Sequence, residues 1–292
     1  MLGEIRGEVR FKEPLAFHTS LRCGGPADIF VLPQDVDDVR KALMYADKEK
    51  LPVVVLGGGN NVLVKDKGVR GIVIKLEGCL GRMEFHGDEV TTGCGAGLST
   101  MIREAAALGL GGVECLVGIP ATVGGALAMN AGTNDGSIGD FVSAVYFLHG
   151  DGTIGELKPA TGTFAYRTFN FPPGSILLGA RLTLHRKPQK EIYAEIKARL
   201  KQKKATQPLA LASAGFIWKN PPFDQAGKLL EKAGCKGKRI GTAEVSAKHA
   251  NFIVNRGGAT AADILALMEM AFERVFKQTG TKLQPEIRII GG

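Results

Sequence analysis

An α+β fold with mixed sheets is what this sequence predicts, on three observations. Helical periodicity is confined to a few well-separated stretches. The text between them is short apolar runs and turn residues, without the regular βα alternation of a parallel sheet. Glycine is abundant, forty residues against thirteen prolines, while apolar content stays at 45%. That balance describes a folded chain with many close backbone approaches rather than a low-complexity one. At 292 residues the chain is long enough for two or three domains.

Taken in order, Asp35–Lys50 sets Val36, Val39, Ala42, Leu43 and Ala46 on one helical face, with Asp35 placed to cap it. Leu51-Pro52 ends that helix and leads into Val53–Leu56, which reads as a buried strand. Gly71–Lys75 is a second strand, giving a βαβ-like start. A strand at Glu89–Thr92 and a short helix at Thr100–Leu108, stopped by Gly109, follow. Ala144–Leu157 reads as a hairpin turning at Gly150-Asp151-Gly152. Ile192–Ala205 is expected to be a charged amphipathic helix. The last helix, Ala261–Gln278, opens on Thr260 with Asp263 in capping-box spacing and closes at Gly280.

Net charge is +8, and its placement is informative: residues 1–190 are charge-balanced, so residues 191–292 carry the whole excess. A domain boundary is expected near 190–205, with the basic part favouring an anionic partner. The cluster Lys197, Arg199, Lys201, Lys203 and Lys204 reads as a solvated helix face. No aromatic residue interleaves it and no nucleic-acid motif appears, so no nucleic-acid partner is expected. Five cysteines form no CxxC pair and no metal-ligand spacing, which suits a reducing compartment and no metal. The first residues are charged throughout and do not resemble a signal peptide. Cys115–Asn134 lacks charge but contains Pro120, glycines and asparagines, so no membrane span is read there. A cytoplasmic protein is expected. A monomer is expected as well.

The most informative stretch is Val53–Asn61, VVVLGGGNN: a strand running into Gly57, Gly58, Gly59, Asn60 and Asn61. So little side chain lets backbone N–H groups approach a ligand closely, with an anion such as phosphate the obvious one. About sixty residues on lies a second glycine-rich stretch, Gly118–Gly132, GIPATVGGALAMNAG. Two such loops can close on one extended cofactor from two sides. A dinucleotide fold of the Rossmann kind fails on spacing, because Asn60, Asn61 and Val62 follow where a third glycine is required. A P-loop fails because no Gly-Lys-Ser/Thr follows.

These two stretches, with Thr19–Asp28 (TSLRCGGPAD), Tyr166-Arg167, Gly215–Leu230 (GFIWKNPPFDQAGKLL), Arg239–Ser246, Lys248–Asn255 (KHANFIVN) and Pro285–Gly291, resemble the UDP-N-acetylenolpyruvoylglucosamine reductase family, in its shorter second type. The blocks occur in family order across nearly the whole chain. The resemblance implies a two-part FAD-binding region of the vanillyl-alcohol-oxidase type, residues 1–80 and 81–190. A C-terminal α+β substrate domain, 191–292, would follow, with 284–292 returning to the active site. It implies that NADPH supplies hydride, which passes by way of FAD N5 to C3 of UDP-N-acetylglucosamine enolpyruvate. Protonation at C2 then gives UDP-N-acetylmuramate for peptidoglycan. FAD contacts are implied at Gly57, Gly58, Gly59, Asn60, Asn61, Gly118, Ile119, Pro120, Thr122, Gly124, Gly125, Asn130 and Gly132.

Arg167 is a fixed cation suited to charge developing on the substrate carboxylate, with Glu286 beside it by resemblance. On residue physics alone Arg167 reads as a surface strand arginine and Glu286 as a C-terminal ion-pair partner. Tyr166, Lys219, Asn220, Lys228 and Lys248 are the substrate-binding candidates, the lysines and asparagine meeting a diphosphate's need for cations and donors. His249 is weaker, because a lone histidine is more often structural.

The sequence departs from the family where it matters. The family's proton donor, usually serine and sometimes cysteine, follows a glycine; here Gly215 is followed by Phe216, which has no proton to give. Phe169 stands where serine often follows Tyr-Arg, and Asn60 replaces a common serine or threonine. Loss of a general acid costs about 10² to 10⁴ in rate. The alternative is therefore a catalytically weak or inactive FAD- and UDP-sugar-binding relative. Water, Ser213 or a nearby thiol are candidate replacements for the donor.

Overall fold

The computed structural model of the chain describes residues 2–292. They form two compact units: residues 2–10, Ile29–Gly58 and Gly71–Lys203 make the first, and Phe11–Asp28, Gly59–Arg70 and Lys204–Gly292 the second.

In the first unit, helix α1 (Val36–Lys48) starts where Asp35 accepts from the N–H groups of Asp37 and Asp38. It buries Val39, Ala42 and Ala46 against Ile29, Val31, Ile72 and Ile74. The strand Val53–Leu56 runs parallel to Val69–Lys75, with Val53 opposite Ile72. It is the last strand in a sheet ordered Glu8–Pro14, Pro26–Leu32, Val69–Lys75, Val53–Leu56. The expectation of a fully buried strand is therefore corrected: paired along one edge only, it buries Leu56 but leaves Val55 41% exposed. An all-apolar run does not distinguish a central strand from an edge one.

A five-stranded antiparallel sheet follows, ordered Ile154–Leu157, Val142–Leu148, Ile176–Thr183, Glu89–Gly93, Met83–His86. The hairpin read at Ala144–Leu157 is its edge pair. Helix α2 (Leu98–Ala107) buries Leu98, Met101, Ile102, Ala105 and Ala106. It begins two residues before the predicted Thr100, since Leu98 N–H is already held by the Ala121 carbonyl. The second glycine-rich stretch is not all loop. Val123–Ala128 forms a six-residue helix, α3, whose N-cap Thr122 accepts from Gly125 N–H. Cap chemistry and small residues outweighed the glycines there.

Helix α4 (Gln189–Thr206) extends beyond the expected Ile192–Ala205 at both ends and is scarcely amphipathic, with only Ile192 buried among its residues. Its charges pair instead: Arg199 bridges Glu195 and Asp135, and Lys187 bridges Glu114 and Glu195. The basic cluster is thus only partly a solvated face. Lys197, Lys201 and Lys204 are exposed, whereas Lys203 lies beside Gly118 and burial lowers its pKa to about 8.

The second unit packs helix α5 (Ala226–Lys232) and helix α6 (Ala261–Thr279) with an antiparallel sheet ordered Ala212–Ser213, Ile253–Asn255, Ala243–Val245, Arg239–Ile240. Its core includes Leu229, Leu230, Ile264, Leu267 and Val275. The predicted capping box is present, Asp263 N–H bonding Thr260 Oγ1 at 3.0 Å and Thr260 N–H bonding Asp263 Oδ2 at 3.0 Å. Gly280 closes the helix in the left-handed region, φ +70. The last strand, Arg288–Ile290, lies parallel to Val62–Val64. No helix is long and apolar enough to cross a membrane among the described residues.

Candidate functional site

The first glycine stretch passes from one unit to the other between Gly58 and Gly59. Among the described residues, none accepts a hydrogen bond from the backbone N–H groups of Gly57, Gly58, Asn60 or Asn61. Open donors in succession are what a phosphate-bearing ligand requires. Gly57 abuts the second stretch: a Cβ there would lie 2.6 Å from Thr122 Oγ1, the same oxygen that caps α3. Gly59 answers to its own unit, since at φ +64 a Cβ would lie 2.1 Å from the His18 carbonyl oxygen. Asn61 Nδ2 donates to the Glu286 carbonyl at 3.1 Å.

In the second stretch Gly118, Ile119 and Pro120 form an exposed-to-half-buried rim, while Thr122 is buried. Gly124 packs on the Cys94 side chain, leaving 2.8 Å between a would-be Cβ and Cys94 Cβ, and Gly125 lies over Thr122. Asn130 is buried with φ +40. Its Nδ2 donates to the Ala165 carbonyl at 2.9 Å and its Oδ1 accepts from Gly139 N–H at 3.0 Å. Gly132 offers its carbonyl to Arg167, whose NH2 group donates at 3.0 Å.

Arg167 and Tyr166 are the two-residue loop of a hairpin in which Ala165 faces Thr168 and Phe164 faces Phe169. Phe164 and Phe169 stack at 4.4 Å, and Phe169 also packs on Phe147 and Phe171. Phe169 therefore anchors the hairpin. Arg167 sits at φ +52, an uncommon conformation for a residue with a side chain, with its guanidinium 5.1 Å from the Tyr166 ring.

In the second unit Phe216 and Glu286 are brought close through backbone. Glu286 N–H donates to the Ile217 carbonyl at 2.8 Å, Lys219 N–H to the Gln284 carbonyl at 2.9 Å, and Trp218 bridges Pro285. Glu286 is half-buried, with Oε2 inaccessible. Phe216 stacks on His249 at 5.0 Å and meets Phe252 edge-on at 5.3 Å. His249 Nδ1 accepts from Asn251 N–H at 3.2 Å, which places the ring proton on Nε2, and burial lowers its pKa. Asn220 Oδ1 accepts from Ala226 N–H at 3.0 Å, fixing the start of α5, on which Lys228 is exposed. Lys248 points elsewhere: its Nζ donates to the Lys204 carbonyl, and it lines a separate cavity of about 280 Å³ with Gln207, Glu244 and Arg256.

Sequence reasoning missed Asn251. It is buried and clamps Trp218, accepting from its N–H at 2.9 Å and donating to its carbonyl at 2.8 Å. It lies inside the KHANFIVN block, where nothing sets it apart from its neighbours. All five cysteines are free and buried, and burial pushes the thiols of Cys23, Cys79 and Cys115 up to about 11.

Comparison with known proteins places this geometry. Residues 27–158 match the FAD binding domain family, and residues 207–290 match the UDP-N-acetylenolpyruvoylglucosamine reductase, C-terminal domain family. The chain is 42% identical to UDP-N-acetylenolpyruvoylglucosamine reductase 2 of Symbiobacterium thermophilum, covering 98% of this chain and 93% of that one. It is 41% identical to the Bacillus velezensis reductase, over 98% and 95%. The crystal structure of the Thermus caldophilus reductase superposes with a TM-score of 0.85 at 36% identity, covering 98% of this chain and all of that one. A BBE-like 1 variant from Physcomitrella patens, at 18% identity and TM-score 0.50, shares the fold over 63% of this chain.

Fold and backbone cradle together define an FAD-dependent oxidoreductase, with a flavin-binding region of the vanillyl-alcohol-oxidase type followed by a C-terminal α+β domain. The chain belongs to the UDP-N-acetylenolpyruvoylglucosamine reductase family.

Proposed function

We propose that this protein is a cytoplasmic, monomeric reductase that consumes NADPH and converts UDP-N-acetylglucosamine enolpyruvate to UDP-N-acetylmuramate for peptidoglycan. The observation that carries this reading is relatedness over the full length: 98% of the chain aligns at 42% identity with a reductase of that name. FAD, when bound, supplies hydride transfer from NADPH to C3 of the enolpyruvyl ether. Residues 1–80 and 81–190 would hold it, with the open N–H groups of Gly57, Gly58, Asn60 and Asn61 on its phosphates, and residues 191–292 would take the substrate.

Arg167 steadies charge on the substrate carboxylate, which is greatest as hydride arrives. Glu286 belongs to the same chemistry in this reading. Lys219, Asn220, Lys228 and Tyr166 orient the UDP-sugar. Lys248 is the weakest of the candidates, its ammonium already bound to a backbone carbonyl. Protonation at C2 lacks the family's hydroxyl, because Phe216 has none to offer. The thiols are buried, which leaves water and Ser213, in the strand paired with Ile253–Asn255, as the proton sources, and a Ser213→Ala variant tells them apart.

The test is product identification. Protein loaded with FAD, given NADPH and UDP-N-acetylglucosamine enolpyruvate, yields a species heavier by two hydrogens; its absence rejects the reading. A second reading, binding of FAD and UDP-sugar without turnover, is favoured by one observation: Phe216 is packed into an aromatic trio with His249 and Phe252. It predicts both ligands bound and no such product.

A further inference from the structure

We propose that Asn130 is a positioning residue that sets the place of Arg167, an inference that rests on the reading of Arg167 as a catalytic residue. The contacts form a closed circuit within the first unit. Asn130 Nδ2 holds the Ala165 carbonyl, one residue before the Tyr166-Arg167 loop, at 2.9 Å. Arg167 returns to the Gly132 carbonyl at 3.0 Å, two residues after Asn130. The other end of the same amide accepts from Gly139 N–H at 3.0 Å. Gly139 is a glycine because the hairpin presses on it: a Cβ would stand 2.6 Å from Phe164 Cγ and 2.8 Å from Asn130 Oδ1.

Both ends of the circuit are in the left-handed region, Asn130 at φ +40 and Arg167 at φ +52. Asparagine tolerates that region better than other residues with side chains. Arg167 does not, and such a conformation is held only when its surroundings over-determine it. The surroundings here are the Phe164–Phe169 stack across the hairpin and the Asn130 amide at its loop. A guanidinium on a two-residue loop is mobile unless the loop is fixed. A small displacement of a group that stabilises developing charge is costly in rate.

The test is a double-mutant cycle on the FAD-loaded full chain. Asn130→Gly keeps the left-handed backbone and removes the amide. We expect kcat per bound flavin to fall 10- to 50-fold, with KM for NADPH unchanged. In an Arg167→Ala background the same substitution costs nothing further, because the residue it positions is gone. An additive loss, or an Asn130→Gly variant with unaltered kcat, overturns the inference. Wild-type kcat in Arg167→Ala alone would instead overturn the role of Arg167. A second readout needs no turnover: trypsin cuts after Arg167 at least tenfold faster in Asn130→Gly, and an unchanged rate there also overturns the inference.

Discussion

Phe216 carries the largest consequence of any single residue in this chain. In the proposed reading it stands where the family donates a proton, and it packs on His249 and Phe252 rather than hanging in solvent. Phe216→Ser is expected to raise kcat by about 10²-fold, the low end of what a positioned general acid contributes, and steady-state NADPH oxidation measures it. The same change removes an aromatic contact, so a lower melting temperature should accompany the gain. Asp38 is a structural counterpart. It is fully buried and accepts from the N–H groups of Gly7, Arg6 and Gln34 at 2.8 to 3.0 Å. Burial raises its pKa, but these bonds prevail and bring it from 3.8 to about 2. The stabilisation, about 2 kcal/mol, is present above pH 4 and lost as pH falls towards 2. Urea titrations across that window should show the loss in the parent and little of it in Asp38→Asn.

At the level of elements, the helices with complete end signals were legible in the sequence. Helix α6 had its cap pair and terminal glycine in the text, and both are present. A second device was not legible: Asp66 accepts from Ala261 N–H at 2.8 Å and Ala262 N–H at 2.9 Å across 195 residues of chain. Thr260→Ala should therefore cost about 1 kcal/mol in a urea melt without unfolding α6, since Asp66 still serves the first turn. The less legible elements share a physical cause. Whether Val53–Leu56 is central or at an edge depends on strand order, which no local pattern encodes. Helix α4 is satisfied by ion pairs, Arg199 with the sequence-distant Asp135 and Glu195 with Lys187, rather than by an apolar stripe. In α3 the cap at Thr122 stabilises six residues that glycine content alone reads as loop.

For the whole molecule, the sequence pointed to the family because its blocks are backbone-determined: glycines that cannot accept a Cβ and asparagines that bind carbonyls. Gly57, Gly124 and Gly132 are of the first kind, Asn61, Asn130 and Asn251 of the second. What each asparagine binds was not legible, since partners lie up to 225 residues away. The catalytic proposal reduces to one question, whether a chain with this framework turns over without the family's hydroxyl. Anaerobic NADPH consumption by the FAD-loaded protein, with and without UDP-N-acetylglucosamine enolpyruvate, answers it most directly. The account predicts slow, sustained consumption that requires the enolpyruvate and ends at one equivalent per substrate. Consumption that stops at one equivalent per flavin, with or without the enolpyruvate, would contradict it.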